Sequence, residues 1–274
     1  MFNLREDRFF IEIPFVSQKQ FYDSEFLKHY DQTERRPEKY AVINSLKSLP
    51  FNYGNAHLVH KAIVDEPEEH DVIRTYTSDL KYGAQSFYAF VNRQLANDAG
   101  HILVKLMPLI RRATSQINYK PPPNDCVVYR CMELTNKQKE HFKTNTVFRF
   151  PGFTSTSKSK AAAKKFGLVL FEIHIPAGCK QVRNIAAVSH FENEEEYLFS
   201  PYSLFKVTGR TSECIILKAI DNKSKIGLND PPPADKPTFL YKPSILPVDE
   251  PKLTDAAKPT PKPKKVKSSA CVIL

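Results

Sequence analysis

Apolar residues in the first half of the chain recur mainly at the spacing of an amphipathic helix. Three of them lie at four-residue steps within residues 82–95 and share one helical face: Phe87, Val91 and Leu95. Residues 102–117 show a second helical pattern, in which we expect Pro108 only at a kink or at the helix start, because proline lacks the N–H that an interior position donates. The first half is therefore predicted to be mostly helical.

After the three prolines at residues 121–123 the apolar pattern changes to a period of two, which is typical of strands. Four strands are predicted: residues 126–130, Val169–Ile175, 198–207 and Cys214–Ala219. Residues 161–166, introduced by serines, predict a short helix between strands. This order predicts an α+β fold, in which a helical N-terminal lobe leads into a mainly β domain.

The composition changes near residue 220. Ten of the 21 prolines lie between Pro231 and Pro263, where no apolar periodicity is visible. Such a segment favours extended backbone and cannot build a core. We therefore expect a folded domain over residues 1–221, with a helical lobe over about residues 1–120 and a β core over about residues 121–221, and a flexible tether over residues 222–270.

The 274-residue chain has a net charge of +10, which favours an anionic partner. The excess is concentrated between Pro251 and Leu274, where six lysines accompany one acid. The five cysteines are irregularly spaced, and no apolar signal core follows the first residues. We therefore expect reduced thiols in a cytosolic compartment.

Several classes of protein and site are not expected. No apolar run reaches the roughly 18 residues that a transmembrane helix needs. The eight glycines form neither a P-loop nor a Rossmann fingerprint. His57 and His60 have no further ligands at a suitable spacing, so we expect no metal site.

Three short motifs carry the expected chemistry: Tyr129-Arg130, Phe-Thr-Ser-Thr-Ser at residues 153–157, and Glu-Glu-Glu-Tyr-Leu at residues 194–198. If the last motif is a strand, Glu194 and Glu196 point to one face and Glu195 points away. Taken singly, each motif has an ordinary interpretation. The acidic triplet suits a solvated edge, Ser-Thr-Ser suits a turn or helix cap, and a lone arginine suits a strand surface.

Taken together, the three motifs have the order arginine, serine, Glu-x-Glu, and the chain resembles the arginine-specific mono-ADP-ribosyltransferases of the clostridial-toxin and animal ecto-enzyme type. Four further segments match: Phe166 as the aromatic that stacks on nicotinamide, Phe191 as the aromatic of the substrate-recognition turn, residues 74–77 (Arg-Thr-Tyr-Thr) in the helical lobe, and the strand at residues 196–202. The resemblance covers about residues 40–220, most securely residues 125–220. It implies a helical lobe followed by a mixed or antiparallel two-sheet β core.

The resemblance implies transfer of ADP-ribose from NAD(P) to arginine side chains of target proteins, with NAD as a co-substrate and no permanently bound cofactor. It assigns Glu196 to stabilising the ribose cation, Ser155 to orienting Glu196, and Arg130 to the NAD phosphates. The residues implied to bind NAD are Arg130, Tyr129, Ser155, Thr156, Ser157 and Phe166.

The acceptor is assigned to arginine because of a second carboxylate. Glu194 would deprotonate and hold a guanidinium, with Phe191 beside it, whereas relatives with glutamine in place of Glu194 modify other side chains. Cys131 departs from the family pattern, and the chain shows no signal peptide, unlike the secreted ecto-enzymes. The alternative is a weak or inactive binding module that grips NAD or ADP-ribose and scaffolds a membrane partner.

The last four residues, Cys271-Val272-Ile273-Leu274, match a prenylation box with a terminal leucine, which favours geranylgeranyl. One lipid chain anchors only marginally and needs a second signal, such as a polybasic patch. The lysines that supply it are Lys262, Lys264, Lys265 and Lys267. We therefore expect a lipid anchor on the cytoplasmic side of an anionic membrane, and no nucleic-acid partner.

Overall fold

The computed structural model describes residues 15–50, 54–190 and 195–220. Two predicted site residues, Phe191 and Glu194, lie outside these ranges. The expected tether over residues 222–270, its four lysines and the Cys271 box also lie outside them.

The described part of the first 120 residues is helical apart from one short hairpin. The helices are α1 (Gln18–Tyr22), α2 (Glu25–Gln32), α3 (Lys39–Lys47), α4 (Ala56–Asp65), α5 (Asp71–Tyr76), α6 (Phe87–Ala96) and α7 (Gly100–Tyr119). The hairpin pairs β1 (Lys81–Tyr82) with β2 (Gln85–Ser86). The predicted mostly helical first half is confirmed.

One boundary of the helical prediction differs from the structure. The helix predicted over residues 82–95 begins only at Phe87, because the preceding residues form the β1–β2 hairpin, whose turn contains Gly83 at a φ of 71°. Pro108 lies inside the 20-residue α7 rather than at its start. It leaves the carbonyl of Val104 without a helical donor, and Val104 is 46% exposed, so water can bond that carbonyl.

The described residues of the second half form one eight-stranded sheet. The strands are β3 (Cys126–Met132), β4 (Val147–Phe150), β5 (Thr154–Ser157), β6 (Val169–Ile175), β7 (Val182–Asn184), β8 (Glu196–Phe199), β9 (Ser203–Arg210) and β10 (Cys214–Ala219). Their order is β4-β9-β10-β6-β3-β5-β8-β7. Only β6 and β10 pair in parallel, so the sheet is mixed and the predicted α+β class is confirmed.

The two sheets that the resemblance implies are two parts of this sheet. Five strands, β4-β9-β10-β6-β3, adjoin the three strands β5-β8-β7 at the β3–β5 junction. That junction has a single registered pair, Tyr129 with Ser157, whereas β3 and β6 register over seven pairs. Side chains from both parts, including Phe171, Phe199 and Phe205, share one core. The sheet therefore folds over on itself at the point where β3 meets β5.

One predicted strand is wrong in its extent. Residues 198–207 form parts of two strands, β8 and β9, separated by Ser200, Pro201 and Tyr202. Tyr202 has a φ of 56°, and its hydroxyl donates to the carbonyl of Leu95 at 3.2 Å. Apolar residues continue through the turn, so their pattern conceals it. The short helix predicted over residues 161–166 is found as α9 (Lys160–Ala163) followed by a 3-10 turn, Lys164–Phe166.

A buried ion pair joins the helices of the N-terminal lobe. Arg112 on α7 donates from Nη2 to Oδ2 of Asp71 on α5 at 2.7 Å, and both side chains are almost fully buried. Arg112 also donates to the carbonyl of Pro37 at 2.9 Å, and Gln116 donates to Asp71 Oδ1 at 2.6 Å. The position of α5 relative to α7 therefore depends on this pair.

Replacing Asp71 with alanine should destabilise the fold by about 3–5 kcal/mol, because it leaves the Arg112 guanidinium buried without its carboxylate. Chemical unfolding in urea measures the loss. Asp65→Ala is the control, because it breaks an exposed ion pair with Lys61 and should cost less than about 1 kcal/mol. Equal losses for the two variants would contradict this role of Asp71.

Candidate active site

The adjacent strands β5 and β8 bring two of the predicted catalytic residues into contact. Ser157 lies opposite Glu196 in the antiparallel register, so Ser155, two residues away, lies on the same face as Glu196. The Ser155 hydroxyl donates to Glu196 Oε1. Arg130 on β3 donates from Nη1 to the carbonyl oxygen of Ser155 at 2.8 Å. The structure thus groups Arg130, Ser155 and Glu196 at the β3–β5 junction.

Glu196 accepts a second hydroxyl that the sequence did not indicate. Ser189 donates from Oγ to Glu196 Oε2 at 2.9 Å. Glu196 is 1% exposed and Ser189 is fully buried. Burial raises the pKa of Glu196 above its ordinary value, and the hydrogen bonds from Ser155 and Ser189 act in the opposite direction. Both carboxylate oxygens are therefore held, one by each serine.

The strand on which the predicted alternation of the acidic triplet depends does not reach Glu195. β8 begins at Glu196, and Glu195 has a φ of 45°, in the left-handed region. The extended period of two therefore stops at Glu196, and Glu194 lies outside the described residues. Glu195 is exposed, as expected, but for this different backbone reason.

Arg130 is a buried cation that forms no ion pair within the described part of the chain. It is 3% exposed, and burial lowers its pKa to about 10. Its Nε has no hydrogen-bond partner, and no carboxylate in the described ranges lies within ion-pair distance of its guanidinium. The guanidinium centre lies 6.0 Å from the centroid of the Phe150 ring. Donors that remain free on a buried guanidinium fit an anionic ligand such as a phosphate.

The other residues predicted to bind NAD lie around this group in different ways. Tyr129 packs with Cys131 and Leu170 on the opposite face of β3 from Arg130. The Thr156 side chain is fully buried, and its hydroxyl donates to the carbonyl of Tyr197 at 2.8 Å. Since that bond uses the Thr156 hydroxyl inside the sheet, its predicted role in binding NAD is not supported by its orientation.

The segment after β5 continues towards α9. The Ser157 side chain is fully buried, and its Oγ accepts from the N–H of Ser159 at 2.9 Å, just before α9. Phe166, in the 3-10 turn, is half-buried. Next to it, Gly167 packs so closely on β3 that a Cβ there would lie 2.5 Å from the Met132 carbonyl carbon. This approach places Phe166 beside the end of β3.

A side chain of the helical lobe, Asn92, bonds the segment before β5, and the sequence analysis did not identify this contact. Asn92 on α6 accepts from the N–H of Phe153 at 3.0 Å and donates to the hydroxyl of Tyr76 at 2.9 Å. The Tyr76 and Phe153 ring centroids are 4.8 Å apart. Because Phe153 immediately precedes β5, Asn92 fixes the start of the strand that carries Ser155. Asn92 is 61 residues from Phe153 in the chain, so no local pattern reveals this contact.

The described part of the chain lacks two further kinds of feature, a metal-ligand cluster and a membrane-spanning helix. Within the described ranges, no three His, Cys, Asp or Glu side chains come together as metal ligands. None of the helices in that part of the chain has the length and apolar character needed to cross a bilayer.

The site suits a substrate that develops positive charge near Glu196 and carries an anionic group near Arg130. A buried carboxylate whose two oxygens are fixed can stabilise positive charge that develops beside it, and the donors need not move during the reaction. Arg130, on the other side of Ser155, can bind an anionic group of the same substrate. The site therefore has the groups needed to cleave a bond that leaves positive charge near Glu196.

A protein-family model matches most of the chain. The model described as "ART: NAD:arginine ADP-ribosyltransferase" matches residues 28–225. No curated protein matches the chain.

Solved structures with a similar arrangement are ADP-ribosyltransferases. Exoenzyme S from Pseudomonas aeruginosa is 16% identical, with 69% of this chain and 94% of that chain covered and a TM-score of 0.47. HopU1 from Pseudomonas syringae is 18% identical, with coverages of 76% and 100% and a TM-score of 0.45. The eukaryotic enzyme ART2.2 is also 18% identical, with coverages of 76% and 87% and a TM-score of 0.44. At these values the structural likeness adds no argument, so the assignment rests on the family model.

Replacing Glu196 with glutamine should stabilise the fold at about pH 8, because it removes a buried charge while keeping a side chain that both serines can bond. Burial raises the folded-state pKa above the ordinary 4.5, so the cost of the charge is absent at low pH and develops as the pH rises through the folded-state pKa. The gain in melting temperature should therefore shrink as the pH falls towards about 4. Thermal unfolding across this range measures it, with the exposed Glu195→Gln as control. A gain independent of pH would contradict the prediction.

Proposed function

The chain belongs to the NAD:arginine ADP-ribosyltransferase family, and we propose that it transfers ADP-ribose from NAD to arginine side chains of target proteins, with release of nicotinamide. NAD-dependent ADP-ribose transfer follows from the family. The arginine acceptor is the finer part of the proposal. The observation that carries the proposal is the buried Glu196 carboxylate, bonded by Ser155 and Ser189 next to Arg130.

The bond to be broken joins nicotinamide to ribose. Because the leaving group is already a cationic pyridinium, it needs no proton from a general acid, unlike the leaving group of ordinary glycoside cleavage. The ribose carbon needs stabilisation instead, since positive charge develops there as nicotinamide departs. In the proposal Glu196 supplies it, and the two serine hydroxyls keep the carboxylate aimed at the ribose.

Arg130 binds the diphosphate of NAD in this proposal. The unpartnered Nε and the absence of a described carboxylate beside the guanidinium support this role. A phosphate would restore to the buried cation both a counter-charge and acceptors. Phe166, beside the end of β3, stacks on the nicotinamide ring in the proposal, following the family resemblance.

The arginine acceptor is proposed from Glu194 and from the family description. A guanidinium has a pKa above about 12, so it is a poor nucleophile until it loses a proton or is held against the ribose carbon. Glu194 is the second carboxylate of the Glu-x-Glu motif and meets that demand, with Phe191 nearby in the sequence. The alternative is a binding module without catalysis, and the intact Arg130, Ser155 and Glu196 group favours the enzyme.

Replacing Glu194 with glutamine should lower arginine modification at least about 100-fold and leave NAD hydrolysis within about tenfold of the parent, because water needs less activation than a guanidinium. Glu196→Gln is the matched control and should remove both activities, since it removes the charge that stabilises the ribose cation. Labelled NAD with a small arginine donor measures transfer, and nicotinamide release measures hydrolysis.

Parallel loss of transfer and hydrolysis in the Glu194→Gln variant would assign Glu194 to NAD binding rather than to the acceptor. If Glu196→Gln matches the parent in both assays, the catalytic assignment fails. NAD binding without turnover by the parent would favour the scaffold.

A second part of the proposal concerns location. The Cys-aliphatic-aliphatic-Leu motif at Cys271 and the lysines before it support prenylation and attachment to the cytoplasmic side of an anionic membrane. Each lysine near an anionic leaflet adds about 1 kcal/mol to binding. Prenyl transfer requires the motif at a free C-terminus, so the test uses a chain that ends at Leu274.

Replacing Cys271 with serine in that chain should move the protein from the membrane pellet to the cytosol of a eukaryotic cell, while transfer to a soluble arginine donor stays unchanged. Replacing the four lysines (Lys262, Lys264, Lys265 and Lys267) with glutamine should weaken binding only partly. The binding that remains should lose most of its sensitivity to salt, because salt screens the electrostatic part alone. Cell fractionation measures the share of each variant in the membrane pellet. A Cys271→Ser protein that stays in the pellet would show that the prenylation box is not the anchor.

A further inference from the structure

We propose that Ser189 is a positioning residue for Glu196 and that α5 of the helical lobe, through Arg74 and Thr77, holds Ser189 in place. This inference rests on the proposed function, since it assigns Glu196 its catalytic role. Neither the motifs of the sequence nor the family resemblance assigns a role to Ser189.

Ser189 and Ser155 bond different oxygens of the Glu196 carboxylate. Ser155 donates to Oε1 of Glu196, and Ser189 donates to Oε2 at 2.9 Å. One donor fixes one oxygen and lets the carboxylate rotate about it, whereas two donors on different oxygens fix the carboxylate plane. Ser189 is fully buried, so water does not readily replace its hydroxyl.

The backbone of Ser189 is held from two sides. Towards the sheet, its N–H donates to the carbonyl of Ile185 at 2.7 Å, and the N–H of Ile185 donates to the carbonyl of Glu196 itself at 2.9 Å. Residues 185–189 thus form a short turn that brings Ser189 next to the Glu196 carboxylate. The Ser189 hydroxyl therefore cannot move far from Glu196 unless this turn opens.

Towards the helical lobe, the guanidinium of Arg74 bonds the same segment. Its Nη1 donates to the carbonyl of Ser189 at 3.2 Å and lies 3.4 Å from that of Val188. Its Nε donates to Glu66 at 3.1 Å, which fixes the guanidinium from the other side. These contacts give a function to the first residue of the Arg-Thr-Tyr-Thr segment.

Thr77 completes the attachment at the end of α5. Its Oγ1 accepts from the N–H of His190 at 3.1 Å, one residue beyond Ser189. In the sequence, His190 immediately precedes Phe191 and the acidic motif. α5 thus holds the residue that orients the catalytic carboxylate and the residue from which the substrate-recognition segment begins.

The first experiment measures steady-state NAD hydrolysis by the full chain with Ser189→Ala. The expected result is a kcat about tenfold lower, with KM for NAD within about twofold, because the missing hydroxyl orients the carboxylate in the transition state and does not touch NAD. Ser203→Ala is the matched control. It removes a buried hydroxyl that donates to the carbonyl of Ser200 at 2.7 Å, away from Glu196, and should leave both constants unchanged.

A double-mutant cycle tests the route through Arg74. Arg74→Ala should lower kcat about fivefold in the parent and less than about twofold in the Ser189→Ala background, because Arg74 acts through Ser189. In the Ser203→Ala background the effect of Arg74→Ala should be the same as in the parent. Additive effects of Arg74→Ala and Ser189→Ala, or a kcat of Ser189→Ala within twofold of the parent, would overturn the proposal.

A stability measurement separates failure of this inference from failure of the proposed function. Glu196→Gln should raise the melting temperature at about pH 8 more in the Ser189→Ala background than in the parent, because the buried charge has lost a donor. This result does not depend on catalysis. If the parent releases no nicotinamide but the larger gain is found, the proposed function fails and the positioning of Glu196 stands. Equal gains in the two backgrounds would overturn the positioning.

Discussion

The site depends on a buried carboxylate that is bonded by hydroxyl groups and not by cations. Glu196 accepts from two serines, and no cation in the described part of the chain forms an ion pair with it. A lysine or arginine in direct contact would satisfy the carboxylate but would cancel the field with which it stabilises positive charge on a substrate. Serine donors keep the charge available and hold its geometry. The buried cation Arg130 bonds the backbone of Ser155 instead.

This separation of charges follows from the sheet and from the lobe that packs on it. β3 and β5 meet at a single registered pair, and the Arg130 side chain crosses this junction to bond the backbone carbonyl of Ser155. A junction with so few ladder bonds needs support from elsewhere. Asn92 supplies it at Phe153, before β5, and Arg74 supplies it at Ser189, beside the carboxylate. Side chains of the helical lobe therefore hold the start of β5 and the backbone at Ser189 in place.

Sequence analysis reached the parts of this site that are encoded locally. Arg130 lies in a strand that the apolar pattern predicts, whereas Ser155 and Glu196 were identified by their motifs, and the structure brings the three together. Ser189 and Asn92 act through contacts that no periodicity encodes, because turn geometry and packing between the lobes create them. The strand expected through the acidic motif stops at Glu196 because Glu195 leaves the extended region, and the turn at Ser200 was not predicted because apolar residues continue through it. Local patterns thus identify the groups, and tertiary contacts determine their orientation.

The left-handed backbone of Glu195 has a consequence for the neighbouring carboxylate. A non-glycine residue at a φ of 45° costs roughly 1 kcal/mol or more, and such a residue persists only where its surroundings impose it. Here the imposing contacts lie on both sides, because the carbonyl of Glu195 accepts from Lys158 at 3.3 Å and that of Glu196 accepts from Ile185 at 2.9 Å. The bend ends β8 at Glu196, so the carboxylate stands at the first position of its strand, where the hydroxyls of Ser155 and Ser189 bond it.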